Sequence, residues 1–349
     1  MAPAWRSRSQ SRRVAPLPML PPPVLVRTAR GLWHWQWQRL MSGLGPADPS
    51  GRYRRPEAAF AALPELPADA GQPSAHVLIV GRSCPWAHRA WLAWSLRRLA
   101  GSVDLLVVEP DPAAGRWRFR EPFEGCATLA DLYRRSDAPP GTRASVPALV
   151  SRATGRILGN ESARLIELLN RWPAPAGSPD LDPPEQAEAC ATWRQRLQGT
   201  VNDGVYRCGF ARNQDAYDEA VAELFASLEA AEAELERQER QASGWLAGGE
   251  GPGLADVVLF PTLIRMELVY APLFGCSRRP LWQLPRLWNW RRRFHGLAGV
   301  AATCFPDAWR SDYFGALFPL HPSGIVPAGP DLATLVGSPS PAAPGAPTR

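Results

Sequence analysis

Residues 76–94 read HVLIVGRSCPWAHRAWLAW, and the fold turns on how that run is divided. Its opening is apolar, the pattern of a strand buried on both faces. From Pro85 onward the spacing becomes helical, and proline suits the first helical position because its missing N–H would be unpaired there anyway. Cys84 therefore stands where a strand hands over to a helix N-terminus, whose free N–H groups carry roughly half a positive charge. Arg82, His88 and Arg89 add cationic character nearby. Such surroundings bring a thiol from about 8.5 down to roughly 3.5–7.5. A nucleophilic thiolate is expected here, in preference to an inert buried cysteine. Ala87 occupies the position where a dithiol motif would carry its second cysteine. A lone thiol cannot close its own disulfide, so its redox cycle needs an outside thiol, for which glutathione is the obvious candidate.

Outward from this junction the order is strand (HVLIV), helix (86–100), strand (103–109), and an irregular stretch with a helix near 127–135. VPALV (146–150), a turn at Thr154-Gly155, the strand RILG and a helix beginning at Asn160 follow. That is the order of a small α/β unit with a thioredoxin-like layout. The Pro/Gly-rich segment 173–184 reads as a linker. Everything after it reads helical. Asn213 caps a long helix in which Tyr217, Val221, Leu224, Leu228, Ala231 and Leu235 make one apolar seam. A second helix, from Leu254 to Leu273, should bend at Pro261, and a third covers 285–296. The expected domains are a basic, largely disordered arm (1–50), a thioredoxin-like domain (51–172), the linker, an all-helical domain (185–330) and a disordered tail (331–349).

The chain has 349 residues, 45% of them hydrophobic, enough for two cores with tails. Its net charge of +6 resides in residues 1–50, where seven arginines face one acid, Asp48. The rest of the chain balances, which argues against a nucleic-acid footprint. Six scattered cysteines show no metal spacing and fit reduced thiols in the cytoplasm. No GxGxxG suggests a nicotinamide cofactor. The uncharged run VAPLPMLPPPVLV is too short to span a bilayer and is a poor signal-peptide core. The Arg-rich, acid-poor beginning also has the composition of a transit peptide; a disordered arm is the preferred assignment. Residues 31–44 suggest a short amphipathic helix, although Trp33, Trp35 and Trp37 cannot share one face. Whether it docks on the body or contacts a membrane surface stays open.

CPWAHR (84–89), VPALV, NES (160–162), VNDGVYRCGFARNQDAYDEAV (201–221) and TLIRMELVYAPLFGC (262–276) together resemble the glutathionyl-hydroquinone reductases, the Xi class of glutathione transferases. The resemblance implies the glutathione transferase fold: an α/β thioredoxin-like N-terminal domain plus an all-α helical-bundle C-terminal domain. It further implies a homodimer, glutathione as co-substrate without metal, and glutathionyl-quinol substrates. Cys84 then becomes the nucleophile. Tyr206 and Tyr313 match tyrosines near the reacting sulfur, where a phenol can donate to a developing phenolate; Tyr270 is a weaker match that helical spacing also fits to the core. Trp117 and Arg143 match positions that hold glutathione. Val146 precedes a proline that is cis in this fold and offers its backbone to the cysteinyl unit. Glu161 and Ser162 open a helix whose free N–H groups suit the γ-glutamyl carboxylate, with Glu161 taking the amine. His88 is assigned a structural or field-tuning role. Gly253 stands where the family has a capping threonine, and Cys208 where it has alanine; Cys208 is either a resolving thiol or a small buried filler. Two alternatives stay open: an omega-like thiol transferase or dehydroascorbate reductase, and a non-catalytic glutathione-fold binding protein.

Overall fold

Pro23 begins a helix where the sequence suggested an unstructured arm. Its ring presets φ and it lacks only an N–H that would be unpaired, so α1 (Pro23–Leu44) starts eight residues before the expected 31–44 segment. The structure, a computed structural model, describes residues 22–62, 65–111, 116–317 and 320–337. The remainder of the expected arm, residues 1–21, lies outside the described residues. Only the C-terminal end of α1 meets the body: Met41 is fully buried, while residues 23–36 are exposed throughout.

Strand β1 (His76–Gly81) is buried along its whole length at the middle of a six-stranded sheet, as its continuous apolar run demands. Helix α2 (Pro85–Leu96) carries the chain over to β2 (Val103–Asp111), which pairs parallel to β1. β3 (Arg116–Phe123) and β4 (Cys126–Thr128) form the antiparallel hairpin beyond it. The sequence had suggested an irregular stretch there. On the other side of β1, β5 (Ala148–Ser151) and β6 (Arg156–Gly159) add antiparallel, giving the order β4-β3-β2-β1-β5-β6. This is the thioredoxin-like sheet with one extra hairpin on its edge. Helix α3 (Leu129–Arg135) starts at a capping box between Thr128 and Asp131. Helix α4 (Ser162–Arg171) starts two residues later than expected, because the Asn160 side chain is engaged elsewhere: it accepts from Phe60 N at 2.8 Å and donates to Tyr133 Oη at 2.8 Å.

The helical part comprises α5 (Ala187–Leu197), α6 (Gly204–Gly209), α7 (Gln214–Glu239), α8 (Leu254–Leu263), α9 (Ala271–Phe274), α10 (Pro285–His295), α11 (Pro306–Ala316) and α12 (Leu332–Val336). Asn213 caps α7 through Ala216 N, and Leu224, Leu228, Ala231 and Leu235 of the expected seam are buried. The expected helix from Leu254 to Leu273 is three pieces. After α8 the ladder changes to a π-helical turn (Met266–Tyr270) and then α9. Pro261 withholds a ladder donor from this run, and the guanidinium of Arg265 donates to the Pro261 carbonyl at 2.9 Å. The expected disordered tail also needs correction. Asp331 caps α12, Leu335 is buried, and the carbonyls of Leu335 and Val336 accept from Arg291 and Arg292. A composition rich in Pro, Gly and Ala hid this single docked turn; residues 338–349 lie outside the described residues.

Where Gly253 supplies no capping hydroxyl, Asp256 does the work from the third helical position. Its buried carboxylate accepts from Gly253 N at 2.9 Å, Leu246 N at 3.1 Å and Trp290 Nε1 at 2.7 Å. Asp256→Ala strands three buried donors, each costing about 1–3 kcal/mol. Urea denaturation should therefore show a loss of about 3 kcal/mol or more, whereas a loss below about 1 kcal/mol would mean that water or a rotamer change replaces the carboxylate.

Candidate active site

Cys84 occupies the cap position of α2 with extended backbone (φ −74°, ψ 118°), and Pro85 is the first helical residue, as the sequence indicated. The loop before it is pinned across the two halves of the molecule: Trp309 Nε1 of α11 donates to the Arg82 carbonyl at 3.0 Å. Behind the loop, a Cβ on Gly81 would lie 2.7 Å from the ring of Trp117, so that β3 tryptophan seats against a glycine at the end of β1. The Val146-Pro147 peptide is cis, and Cys84 Sγ donates to the Val146 carbonyl at 3.4 Å.

The thiol's environment differs from the expectation. Cys84 keeps part of its surface open, yet the groups packed round it push the thiol above its ordinary value, burial being the largest cause. The backbone N–H groups of Ala87 and Trp86 oppose this, as do the charges of Arg265 and Arg55. The helix N-terminus thus acts as anticipated but is outweighed, because a site closed by a second domain loses the water that would solvate a thiolate. In the ligand-free protein, alkylation of Cys84 by iodoacetamide should still be accelerating as pH passes 9.0. A plateau below about 7.5 would restore the lowered value the sequence suggested.

Nor are the cations the anticipated ones. Arg82 is exposed and lies over Phe305. His88 is buried, and burial together with the Arg265 charge holds it well below its ordinary value, so it is a neutral ring. It meets Thr303 Oγ1 at 2.7 Å and Arg265 Nη1 at 2.9 Å. Its Nδ1 must accept from the guanidinium, which leaves Nε2–H to donate to the threonine. His88 is structural: it aims Arg265. That arginine is fully buried, with its guanidinium carbon 4.1 Å from the Trp309 ring centre. Arg55 lies 3.3 Å over the ring of Trp86, and Arg89 4.3 Å from it. A hydrogen-bond chain from Arg89 through Gln198 to Asp203, and on to Arg55, ties α2 to the helical part. Sequence inspection did not find Arg55, Arg265, Trp86 or Trp309.

Three tyrosines converge on the other wall. Tyr206 of α6 and Tyr313 of α11 share a hydroxyl–hydroxyl bond of 2.5 Å, and Tyr270 of the π-helical turn reaches Tyr313 at 3.4 Å. Tyr206 stacks on Trp86 at 6.0 Å, and both Tyr206 and Tyr270 lie within the field of Cys84. Burial pushes all three phenols up, so they stay protonated. Three O–H groups joined by two mutual bonds leave one proton to give to a ligand. Tyr270, ambiguous in the sequence, belongs to this group. Close packing sets it: a Cβ on Gly209 would lie 2.3 Å from the Phe274 ring, which touches Tyr206, Tyr270 and Tyr313.

The remaining sequence candidates spread along the α/β side. Glu161 caps α4 by accepting from Ala163 N at 3.2 Å, and Ser162 is buried beside Arg89. Arg143 is exposed on the loop before β5, where its charge reaches Tyr53. Cys208 faces away from this cleft, two residues beyond Tyr206 on a short helix. It is buried with Cys276 and Tyr217 on the side of α6 that faces α1, a small filler. Among the described residues no cluster of three or more His, Cys, Asp or Glu is placed to hold a metal.

Comparison with known proteins gives concordant results. Residues 214–293 match the family described as glutathione S-transferase, C-terminal domain. The glutathionyl-hydroquinone reductase YqjG of Escherichia coli is 30% identical over 321 residues, which cover 86% of this chain and 94% of that protein. Among solved structures, the glutathione S-transferase Xi from Phanerochaete chrysosporium aligns with a TM-score of 0.75 at 29% identity, covering 81% of this chain and 94% of its own. The glutathione-bound structure of YqjG aligns with a TM-score of 0.67 at 32% identity, over 75% and 87% of the two chains.

Proposed function

Because the chain belongs to the glutathionyl-hydroquinone reductases, the Xi class of glutathione transferases, we propose that Cys84 carries out its glutathione-dependent reduction of glutathionyl-hydroquinones. The observation that carries the assignment of roles is the chain of three neutral tyrosine hydroxyls beside a single thiol at a helix N-terminus.

The proposed first step is attack of the Cys84 sulfur, as thiolate, on the sulfur of the glutathionyl adduct. The S–S bond forms as the carbon–sulfur bond breaks. The electron pair passes to the ring carbon, which takes a proton and leaves as the hydroquinone. The one O–H that the tyrosine chain leaves free, on Tyr206 or Tyr313, donates to the ring oxygen on which charge develops, and the other two hydroxyls support it. In the second step a free glutathione thiolate attacks the Cys84–glutathione disulfide, releasing oxidised glutathione and the Cys84 thiolate. Net, two electrons pass from sulfur to the ring carbon: the adduct's sulfur and the free glutathione thiol end as oxidised glutathione, and Cys84 is returned unchanged.

Glutathione binding to residues of the α/β part also answers the raised thiol. In the ligand-free site the Cys84 thiol keeps its proton and donates it in a hydrogen bond to the Val146 carbonyl. A cysteinyl backbone paired to Val146 competes for that acceptor, and the N–H groups of Trp86 and Ala87, with Arg55 and Arg265, then favour the thiolate. Trp117, Arg143, Glu161 and Ser162 are the proposed hold on the rest of the tripeptide; a homodimer is proposed with them.

Steady-state kinetics test the scheme. Varying glutathione against glutathionyl-hydroquinone should give parallel double-reciprocal lines, the pattern of a covalent enzyme intermediate. Intersecting lines would refute it. A kcat/KM greater for dehydroascorbate than for the glutathionyl-hydroquinone would favour the omega-like alternative.

A further inference from the structure

Helix α1 has no part in the catalytic account, yet it concentrates the exposed apolar surface of the molecule. Seven of the eleven large apolar side chains exposed among the described residues lie on it. Leu32 is 64% exposed, Leu25 and Trp35 60%, and Trp33 46%. The body covers only its last turns, through Met41 and the Gln38 side chain, which donates to the Arg212 carbonyl at 3.3 Å. The first fourteen residues of the helix are exposed. Two shallow apolar grooves run along this segment. One lies among Leu25, Val26, Ala29 and Trp33, and a larger one of about 650 Å³ lies between α1 and the α6–α7 corner.

Charge says what covers this surface. No acidic residue occurs before Asp48, while α1 carries Arg27, Arg30 and Arg39, and four more arginines precede it in the sequence. Arg39 lies 5.2 Å over the ring of Trp35, which joins a cationic group to an amphipathic aromatic. Tryptophan and arginine together favour the headgroup boundary of a bilayer, where the ring is buried and the charge meets phosphate. A second copy of α1 packed on this face would set arginine against arginine. The helix is also unsuited to crossing a membrane, since three arginines interrupt it; the helical run that is long and apolar enough, Leu254–Phe274, is largely buried in the body.

We propose that α1 is an interfacial anchor that lays its exposed face on an anionic lipid bilayer and holds the folded body at that surface. The proposal is independent of the catalytic scheme.

Flotation of the full-length protein with vesicles tests it. The unmodified chain should float with vesicles of phosphatidylglycerol mixed with phosphatidylcholine, and not with phosphatidylcholine alone. Added salt should weaken the binding. Arg27→Gln/Arg30→Gln should reduce affinity for the anionic vesicles roughly 30-fold. Leu32→Ser/Trp35→Ser should reduce it by more than about tenfold. Both variants lie outside the catalytic machinery and should keep their turnover in buffer, which certifies that they are folded. Equal flotation of variants and parent, or no preference for the anionic lipid, would overturn the proposal. So would failure of the parent to bind vesicles while light scattering shows that Leu32→Ser/Trp35→Ser breaks a dimer. In that case the face is an interface between copies.

Discussion

Cys84→Ser should reduce turnover of a glutathionyl-hydroquinone by a factor on the order of a thousand or more, the scale seen when a catalytic nucleophile is deleted. The two side chains are nearly isosteric, so the cap of α2 and the seat against Val146 are kept. What disappears is the thiol at the N-terminus of α2: Cys208 and Cys276 are buried behind α6, and burial pushes Cys304 up to about 12. A serine hydroxyl would ionise far less readily and would form no disulfide for the second glutathione to discharge. Glutathione should still bind, because its proposed contacts lie on Val146, Glu161, Ser162, Trp117 and Arg143. Retention of turnover within about tenfold of the parent would remove Cys84 from the mechanism.

Tyr206→Phe should lower kcat by about 10²–10⁴-fold, the usual worth of a positioned general acid, with little change in KM. The loss falls on kcat because charge reaches the ring oxygen only as the carbon–sulfur bond breaks. Tyr313→Phe should do similar damage, since its hydroxyl is the hub that bonds both Tyr206 and Tyr270. The double variant should lose much less than the product of the two single losses, because either substitution already breaks the chain. Burial pushes all three phenols up, so activity should show no decline from phenol ionisation below about 10. Multiplicative losses in the double variant would indicate two independent donors instead of one shared proton.

How much of this was legible beforehand depended on how local each signal was. The strand–Cys84–helix junction could be read because an apolar run, a glycine and a proline at N1 all act within a few residues. The long helix after Asn213 was legible for the same reason. The β3–β4 hairpin was missed although its signal exists: Trp117, Phe119 and Phe123 alternate with Arg118 and Arg120, the period of a half-buried strand. Proline and glycine composition twice concealed helix, at Pro23 and after Asp331, where a cap and one buried leucine outweigh composition. The tyrosine wall was reached only through family resemblance, since Tyr206, Tyr270 and Tyr313 lie on three separate elements. Arg55 and Arg265 had no sequence signal, because what a cation faces is decided by what the fold brings against it: Trp86 and Asp203 for the half-buried Arg55, His88 and Trp309 for the buried Arg265. The same cause explains the thiol. A helix N-terminus can be read from sequence, but the second domain that closes over it and raises Cys84 cannot.

Mass spectrometry of the protein after one equivalent of a glutathionyl-hydroquinone, with free glutathione withheld, tests the central claim most directly. The mechanism predicts one glutathione covalently attached, mapped by peptide digestion to Cys84, with release of one equivalent of hydroquinone. Hydroquinone released without an adduct, or an adduct on any other cysteine, would contradict it.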